Sequence, residues 1–100
     1  MPVTDRTVVT LNLAVNTEYF EAIKARLKTE EYRLVKPYWA KRLENRYYSH
    51  VCITKGYPKK NNVAAKLIFE YGGFVKKVIT HKHFGSDPVE VYAIALQELR

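Results

Sequence analysis

Apolar residues that recur at every second position constrain this chain's fold more than any other feature. Residues from Thr7 to Val15 alternate in this way, which predicts a strand with one buried face. Further strand-like runs follow in the second half of the chain, at 47–54, 63–71, 74–83 and 89–96. Gly72 and Gly73 join two of these runs, and we expect a tight hairpin there because its turn requires positive φ.

Two helical patterns interrupt the first half of the chain. Asn16 is a suitable N-cap, and apolar residues then recur at helical spacing as far as Leu27, which predicts a helix of about three turns. Residues 31–35 return to a period of two. Pro37 is well tolerated in a first helical turn, so a short helix is expected from there through Leu43.

Length and composition predict one small domain, spanning 1–100. The chain has 100 residues, of which 47% are hydrophobic and 27% charged, which is ordinary for a globular domain and argues against disorder. The predicted order is strand, helix, strand, short helix and four strands. This order favours an α+β, mostly β fold: a small barrel of about five to six strands with two flanking helices.

Cysteine usage and hydropathy indicate the compartment. The single Cys52 excludes an intramolecular disulfide, as expected in a reducing environment. The N-terminal residues lack a signal-peptide pattern, and the apolar runs are far too short to span a membrane. We expect a cytoplasmic protein with no membrane partner.

The balance of charge narrows the class of partner. Seventeen Lys and Arg against ten Asp and Glu give a formal net charge of +7, accompanied by eight Tyr, four Phe and one Trp. Cations neutralise phosphates and aromatic rings stack on bases, so this composition is typical of a nucleic-acid-binding domain. The same positive charge would also attract an acidic protein partner, so a basic interaction module is an alternative.

The run R-L-K-T-E-E-Y-R at 26–33 concentrates opposite charges between the first helix and the next strand. It resembles the G-x-K-x-x-E-x-R signature of the ASCH domain, a PUA-like β-barrel family, through Lys28, Glu31 and Arg33. Arg26 stands at the Gly of the signature. The following segment, KPYWAKRL at 36–43, resembles small phage and bacterial members of the family. This resemblance implies a PUA-like barrel with a pocket beside the first helix that accepts a nucleotide or a modified base in RNA.

The residues themselves allow the same interpretation. Glu31 and Arg33 lie two apart on a strand and therefore point to one face, while Lys28 reaches over from the helix–strand junction. A carboxylate between two cations could accept a hydrogen bond from an exocyclic amine such as that of cytosine, and the cations could take a carbonyl or a phosphate. The alternative is an ion-pair cluster that only fastens the helix to the barrel.

The resemblance also raises an enzymatic alternative, because some small ASCH relatives are amidohydrolases that act on N4-acetylcytidine. In those relatives the signature Lys works with a Thr nucleophile three residues later and with a Glu from a later element. Glu31 occupies the Thr position here, and Thr29 and Glu70 are the nearest substitutes. A metal-independent ribonuclease is a further alternative. For either enzyme, the predicted catalytic residues are Lys28, Glu31 and Arg33.

Basic and aromatic residues near the predicted pocket extend the candidate interface. The predicted nucleic-acid-binding residues are Lys28, Arg33, Lys36, Trp39, Lys41, Arg42, Tyr57, Lys59 and Lys60. Trp39 is expected either to anchor the short helix or to line the pocket mouth as a stacking wall. If residues 47–54 form a strand, one of Tyr47 and Tyr48 faces inward, so only the other is free to stack.

Imidazole and thiol groups supply zinc-ligand types without a zinc-site spacing. His81-x-His83 and His50-x-Cys52 each place two such groups on one face of a predicted strand. Zinc sites usually have closer, loop-borne spacing, so we interpret these residues as satisfied or exposed strand residues. Neither a metal nor a cofactor is predicted.

Overall fold

The computed structural model describes residues 8–99, which form five strands, two α-helices and two short 3-10 turns. The elements are β1 (Thr10–Val15), α1 (Thr17–Lys24), β2 (Glu30–Leu34), α2 (Pro37–Leu43), β3 (His50–Lys55), β4 (Lys66–Ile79) and β5 (Val89–Gln97), with the 3-10 turns at Val63–Ala65 and Lys82–Phe84. The predicted α+β, mostly β class is confirmed. The predicted strand start at Thr7 and the prediction about a signal peptide lie outside the described residues.

All five strands belong to one mixed sheet in the order β1-β3-β4-β5-β2, so β1 and β2 are its edges. A flat sheet would separate these edges by four strand spacings, roughly 19 Å. Arg33 Nη2 on β2 nevertheless donates to the carbonyl oxygen of Ala14 on β1 at 2.9 Å. The sheet therefore curls until its edges face each other, and within residues 8–99 a side chain joins them. We call the gap between the β1 and β2 edges the seam.

The inner face of the curled sheet holds the hydrophobic core. Its strand residues include Leu11, Leu13, Val15, Val51, Ile53, Phe69, Tyr92, Ile94 and Leu96. Phe20 and Ile23 of α1 are 1% and 0% exposed and pack into this core. Burial of such side chains stabilises a fold by about 1.5–3 kcal/mol each. These two residues thus fix α1, and with it the chain segment that follows, against the sheet.

The ends of α1 are set by identifiable caps. Asn16 Oδ1 accepts a hydrogen bond from the Tyr19 N–H at 2.8 Å, which confirms the predicted N-cap. The helix ends at Lys24 after about two turns, shorter than predicted, because Arg26 adopts a left-handed conformation with φ 63°. A Schellman motif closes it: the Leu27 N–H donates to Ala22 O at 2.9 Å and the Arg26 N–H to Ile23 O at 3.0 Å. The position at which the ASCH signature has Gly is therefore one whose backbone favours Gly.

The hairpin predicted at Gly72 and Gly73 is wrong. Both residues lie inside β4, which runs continuously from Lys66 to Ile79 and shifts register against β5 between Tyr71 and Phe74. Gly73 has φ 81°, and a Cβ on Gly72 would lie 2.8 Å from the Cβ of Ala95. Positive φ and close approach thus serve a bulge here rather than a turn. One strand thus covers residues 66–71 and 74–79 of the two predicted runs, while residues 63–65 form a 3-10 turn and residues 80–83 lie beyond the strand.

Within residues 8–99, no helix has the length and apolar character needed to cross a membrane.

Candidate functional site

A cavity of about 370 Å³ opens at the seam. Its lining comes from the end of β1, the first turn of α1, the α1–β2 junction at Lys28, strand β2, the start of α2, residues 56–57 and the turn at 81–84. Its volume lies in the range of small-molecule sites. The curl of the sheet creates it, because the edges approach each other without pairing along their length.

Three charged side chains form one wall of this cavity. Glu31 Oε2 lies 2.9 Å from Arg33 Nη2, and Glu31 Oε1 lies 3.4 Å from Lys28 Nζ. The side chains of Glu31, Lys28 and Arg33 are 8%, 16% and 19% exposed. Among residues 8–99, Glu31 is the one charged or polar residue in the buried class. We call these three residues the triad; it combines two cations with one anion and carries a net positive charge.

Strand geometry and aromatic rings hold the triad in place. Glu31 and Arg33 are opposite Ile94 and Tyr92 of β5 in the register, so both point to the core side of β2. The Lys28 Nζ lies 4.3 Å from the ring centroid of Tyr32. A cation over a ring face is attracted by the ring quadrupole. The predicted convergence of the three charged groups is therefore present in the structure.

Arg33 makes further contacts across the seam. Its guanidinium carbon lies 5.0 Å from the Trp39 ring centroid, and its Nη2 bonds to Ala14 O. Its Nε is buried without a hydrogen-bond partner within the described part of the chain. An unpaired buried donor is uncommon in native proteins, and this one belongs to a residue that lines the cavity.

An aromatic rim lies beside the triad at the cavity, where Lys28 Nζ is 4.3 Å from the Tyr32 ring centroid and 5.7 Å from that of Tyr19. Its members are Tyr19, Tyr32, His81, His83 and Phe84. The ring centroids of Tyr19 and His81 lie 5.6 Å apart, those of Tyr32 and His81 6.2 Å, and those of His83 and Phe84 5.1 Å, mostly in edge-to-face arrangements. Such a rim offers apolar ring surface beside charged groups.

An ion pair on the outer side of β2 supports this rim. The Tyr32 hydroxyl donates to Glu30 Oε1 at 3.1 Å, and Lys77 Nζ lies 3.0 Å from the same oxygen. The bond from Lys77 lowers the pKa of Glu30. Burial, followed by the bond to Glu30, raises the pKa of Tyr32. Tyr32 therefore stays neutral at physiological pH and keeps its ring oriented.

The structure separates the predicted site residues into two groups. The cavity lining includes Lys28, Glu31, Arg33, Lys36, Trp39 and Tyr57. Lys41, Arg42, Lys59 and Lys60 lie outside the lining. Trp39 fulfils both interpretations of its role, since it packs against the core and also lines the cavity.

The second group, extended by Lys36, Arg46 and Lys66, is a set of cations that we call the basic flank. It comprises Lys36, Lys41, Arg42, Arg46, Lys59, Lys60 and Lys66. Within residues 8–99, none of these cations has a carboxylate within 4.0 Å, whereas Lys28 and Arg33 of the triad and Lys76 and Lys77 of β4 do. Lys36 of the α2 start and Tyr57 of the loop both line the cavity, so the flank adjoins its mouth.

Tyr47 and Tyr48 precede β3, which begins at His50 and not at the predicted residue 47, and one of them faces inward and the other outward. Tyr48 is buried, and its hydroxyl donates to the carbonyl oxygen of Arg42. Tyr47 is 71% exposed. Only Tyr47 is therefore free to stack on a ligand.

His81 and His83 do not share a strand face, which corrects the sequence prediction. β4 ends at Ile79, and His81 caps the 3-10 turn that follows, with its Nδ1 accepting from the His83 N–H at 3.1 Å. Both imidazoles belong to the rim. Cys52 on β3 is buried, which raises the pKa of its thiol. Among the residues that the structure describes, no cluster of three His, Cys, Asp or Glu could hold a metal ion.

Sequence reasoning missed Tyr19, Tyr32 and Phe84 as lining residues. Tyr32 lies between two triad residues, and its outward face gave it no role in the predicted pocket. Tyr19 and Phe84 are far apart in the chain, and the fold brings both to one cavity. The local sequence pattern around Tyr19 and Phe84 does not indicate that they line the same cavity.

Comparisons with known proteins return nothing for this chain: no family model matches it, and no curated protein or solved structure does. The resemblance to the ASCH signature therefore rests on the residues at 26–43 alone.

Proposed function

We propose that this protein is an ASCH-type, PUA-like domain that binds RNA or a nucleotide through the seam cavity. One observation carries the proposal: Glu31 is buried on the cavity wall, within 3.4 Å of a Lys28 nitrogen and 2.9 Å of an Arg33 nitrogen. Removing three charges from water is costly, and replacing them with apolar residues often leaves stability unchanged. A clustered buried charge on a cavity wall is thus a candidate for ligand recognition.

The chemistry of the wall suits a nucleobase. The Glu31 carboxylate accepts hydrogen bonds and fits an exocyclic amine such as that of cytosine, while Lys28 and Arg33 fit a carbonyl or phosphate oxygen. The rings of the rim offer surfaces on which a base can stack. Lys36 adds a further cation at the mouth. The site therefore favours an anionic, planar ligand.

The basic flank supplies the phosphate contacts in this proposal. Its cations have no carboxylate within 4.0 Å among residues 8–99, so they are free to neutralise backbone phosphates. If one base of an RNA strand enters the seam, the neighbouring nucleotides would lie against the basic flank. We propose a cytoplasmic location, where such ligands are present.

Binding is favoured over amide hydrolysis. The described lining of the cavity contains no Ser, Thr or Cys, and Thr29 and Glu70 are not part of it. An amidohydrolase of the kind found among small ASCH relatives requires a hydroxyl nucleophile beside its Lys. An acidic protein partner would engage the flank but would leave the buried triad without a role.

Fluorescence of Trp39 tests the proposal, because it is the single Trp of the chain and it lines the cavity. We expect the four nucleoside 5′-monophosphates to change this signal saturably, with one base bound tightest, and ribose 5-phosphate to bind more weakly. Glu31→Gln should narrow the difference between bases by roughly 10-fold. Glu98→Gln is the control, because Glu98 is exposed and pairs with Arg26. Absence of binding by every nucleotide and by short RNA would contradict the proposal.

A further inference from the structure

Strand β2 presents unpaired peptide groups to the seam. The Leu96 N–H donates to Thr29 O at 3.0 Å, and the Val35 N–H donates to Glu90 O at 3.1 Å. Hydrogen-bonded pairs alternate along an antiparallel ladder, so the peptide groups of Glu31 and Arg33 also face β5. Those of Tyr32 and Leu34 face the opposite way. Because β2 is an edge strand, that direction is the seam.

The cavity meets this strand edge-on. Glu31 and Arg33 point to the core side of β2, whereas Tyr32 and Leu34 point to the other side, and all four line the cavity. A cavity that touches consecutive residues on both faces of a strand includes the edge between them. Peptide groups in such a place are normally hydrogen-bonded. Within residues 8–99 no neighbouring strand bonds to this edge.

We infer that the peptide groups of Tyr32 and Leu34 read the hydrogen-bonding edge of the nucleobase. This inference rests on the proposed function and specifies how the same site selects its ligand. An extended residue presents its N–H and C=O on one side, which is how it bonds reciprocally to a residue of a neighbouring strand. The Watson–Crick edge of a base likewise presents a donor beside an acceptor. A base lying in the seam would thus take the place of a missing strand.

An extended peptide is the other ligand that such an edge can bind. The contact between Arg33 Nη2 and Ala14 O crosses the seam at 2.9 Å, so an added strand could not run its length without breaking it. A base needs only the peptide groups of one or two residues. The adjacent triad and rim also suit a planar polar ring better than a peptide backbone.

The substitution Leu34→Pro removes the inferred N–H donor together with the Leu side chain. Pro lacks an N–H and is tolerated at an edge strand when its nitrogen faces away from the ladder, as that of Leu34 does. The matched control is Leu34→Ala, which removes the side chain and keeps the N–H. We expect Leu34→Pro to weaken binding of the preferred nucleoside 5′-monophosphate roughly 5- to 10-fold relative to Leu34→Ala, the effect of one hydrogen bond. Ribose 5-phosphate should bind both variants equally.

Nuclear magnetic resonance of the wild-type protein provides a second measurement that does not depend on the folding of a variant. The amide resonances of Tyr32 and Leu34 should shift with the nucleotide and stay in place with ribose 5-phosphate. Equal nucleotide affinity of the two Leu34 variants, or unmoved Tyr32 and Leu34 amides in a nucleotide-bound protein, would overturn the inference and leave the proposed function standing. A wild-type protein that binds no nucleotide would overturn both. Saturable binding of an extended peptide at these amides, with no nucleotide effect, would identify the edge as a peptide site instead.

Discussion

The cations of the triad and those of the basic flank differ in what surrounds them. Lys28 and Arg33 are mostly buried, share one carboxylate and lie near the rings of Tyr32 and Trp39. The flank cations have no carboxylate partner among residues 8–99, and Arg42 lies 3.7 Å from the centroid of the Tyr38 ring on the helix surface. Buried charges with a fixed orientation select a ligand by the geometry of their hydrogen bonds. Exposed charges attract it through their long-range electrostatic field. In the proposed function, the same residue types therefore serve selectivity in the seam and affinity on the flank.

Removal of a triad cation should destabilise the protein more than removal of a flank cation. Arg33→Met leaves Glu31 with Lys28 alone and also deletes the contact to Ala14. Loss of one partner from a buried pair leaves a poorly compensated charge, so the free energy of unfolding should fall by roughly 3 kcal/mol. Urea denaturation monitored by circular dichroism would measure it.

The control for that variant is Lys41→Met on the flank. Lys41 has no carboxylate partner in the described part of the chain, and its replacement should change stability by less than about 0.5 kcal/mol. Equal effects of the two substitutions would mean that burial does not distinguish the triad from the flank.

A second prediction concerns the flank loop. Lys59→Ala combined with Lys60→Ala should weaken RNA binding evenly across sequences and reduce the slope of log affinity against log salt by about one to two units. Fluorescence anisotropy of labelled short RNAs at several salt concentrations would show it. Lys24→Ala on the far end of α1 serves as the comparison. A loss confined to certain sequences would assign base reading to the loop and contradict the division of roles.

A smaller effect is expected for the pH dependence of the stability that the Glu30–Lys77 ion pair contributes. The pKa of Glu30 is lowered in the folded state by its bond to Lys77, so the unfolded chain binds more protons than the folded one in the acid range. The contribution of this pair is present above the unfolded pKa of Glu30 and is lost as pH falls through the folded value. Lys77→Met should remove this part of the acid sensitivity. Urea denaturation of both proteins at neutral and acid pH would test it, and an unchanged difference would contradict it.

Much of the site was predictable because it depends on local geometry. Side chains two apart on a strand share a face, so the convergence of Glu31 and Arg33 follows from the period of their segment. The N-cap at Asn16 was equally local. The prediction of a hairpin at Gly72 and Gly73 was wrong because a positive φ occurs in bulges as well as in turns. The two can be told apart only from the pairing with the neighbouring strand.

The aromatic rim could not be predicted for a different reason. Tyr19 and His81 meet across the curled sheet, about sixty residues apart in the chain. Their contact depends on how far β1 and β2 close on each other, which the register of all five strands determines. His81 also lies beyond the end of β4, where the alternating pattern continued but the strand did not.

Chemical-shift mapping of the labelled protein with a short RNA distinguishes base reading in the seam from phosphate binding on the flank, because it reports on both in one spectrum. We expect shifts at Lys28, Glu31, Arg33 and the Trp39 indole that depend on the base, together with sequence-independent shifts on the flank. Shifts confined to the flank and equal for all sequences would contradict this expectation. The triad would then be an ion-pair cluster that only fastens α1 to the sheet, and the protein would bind phosphate alone.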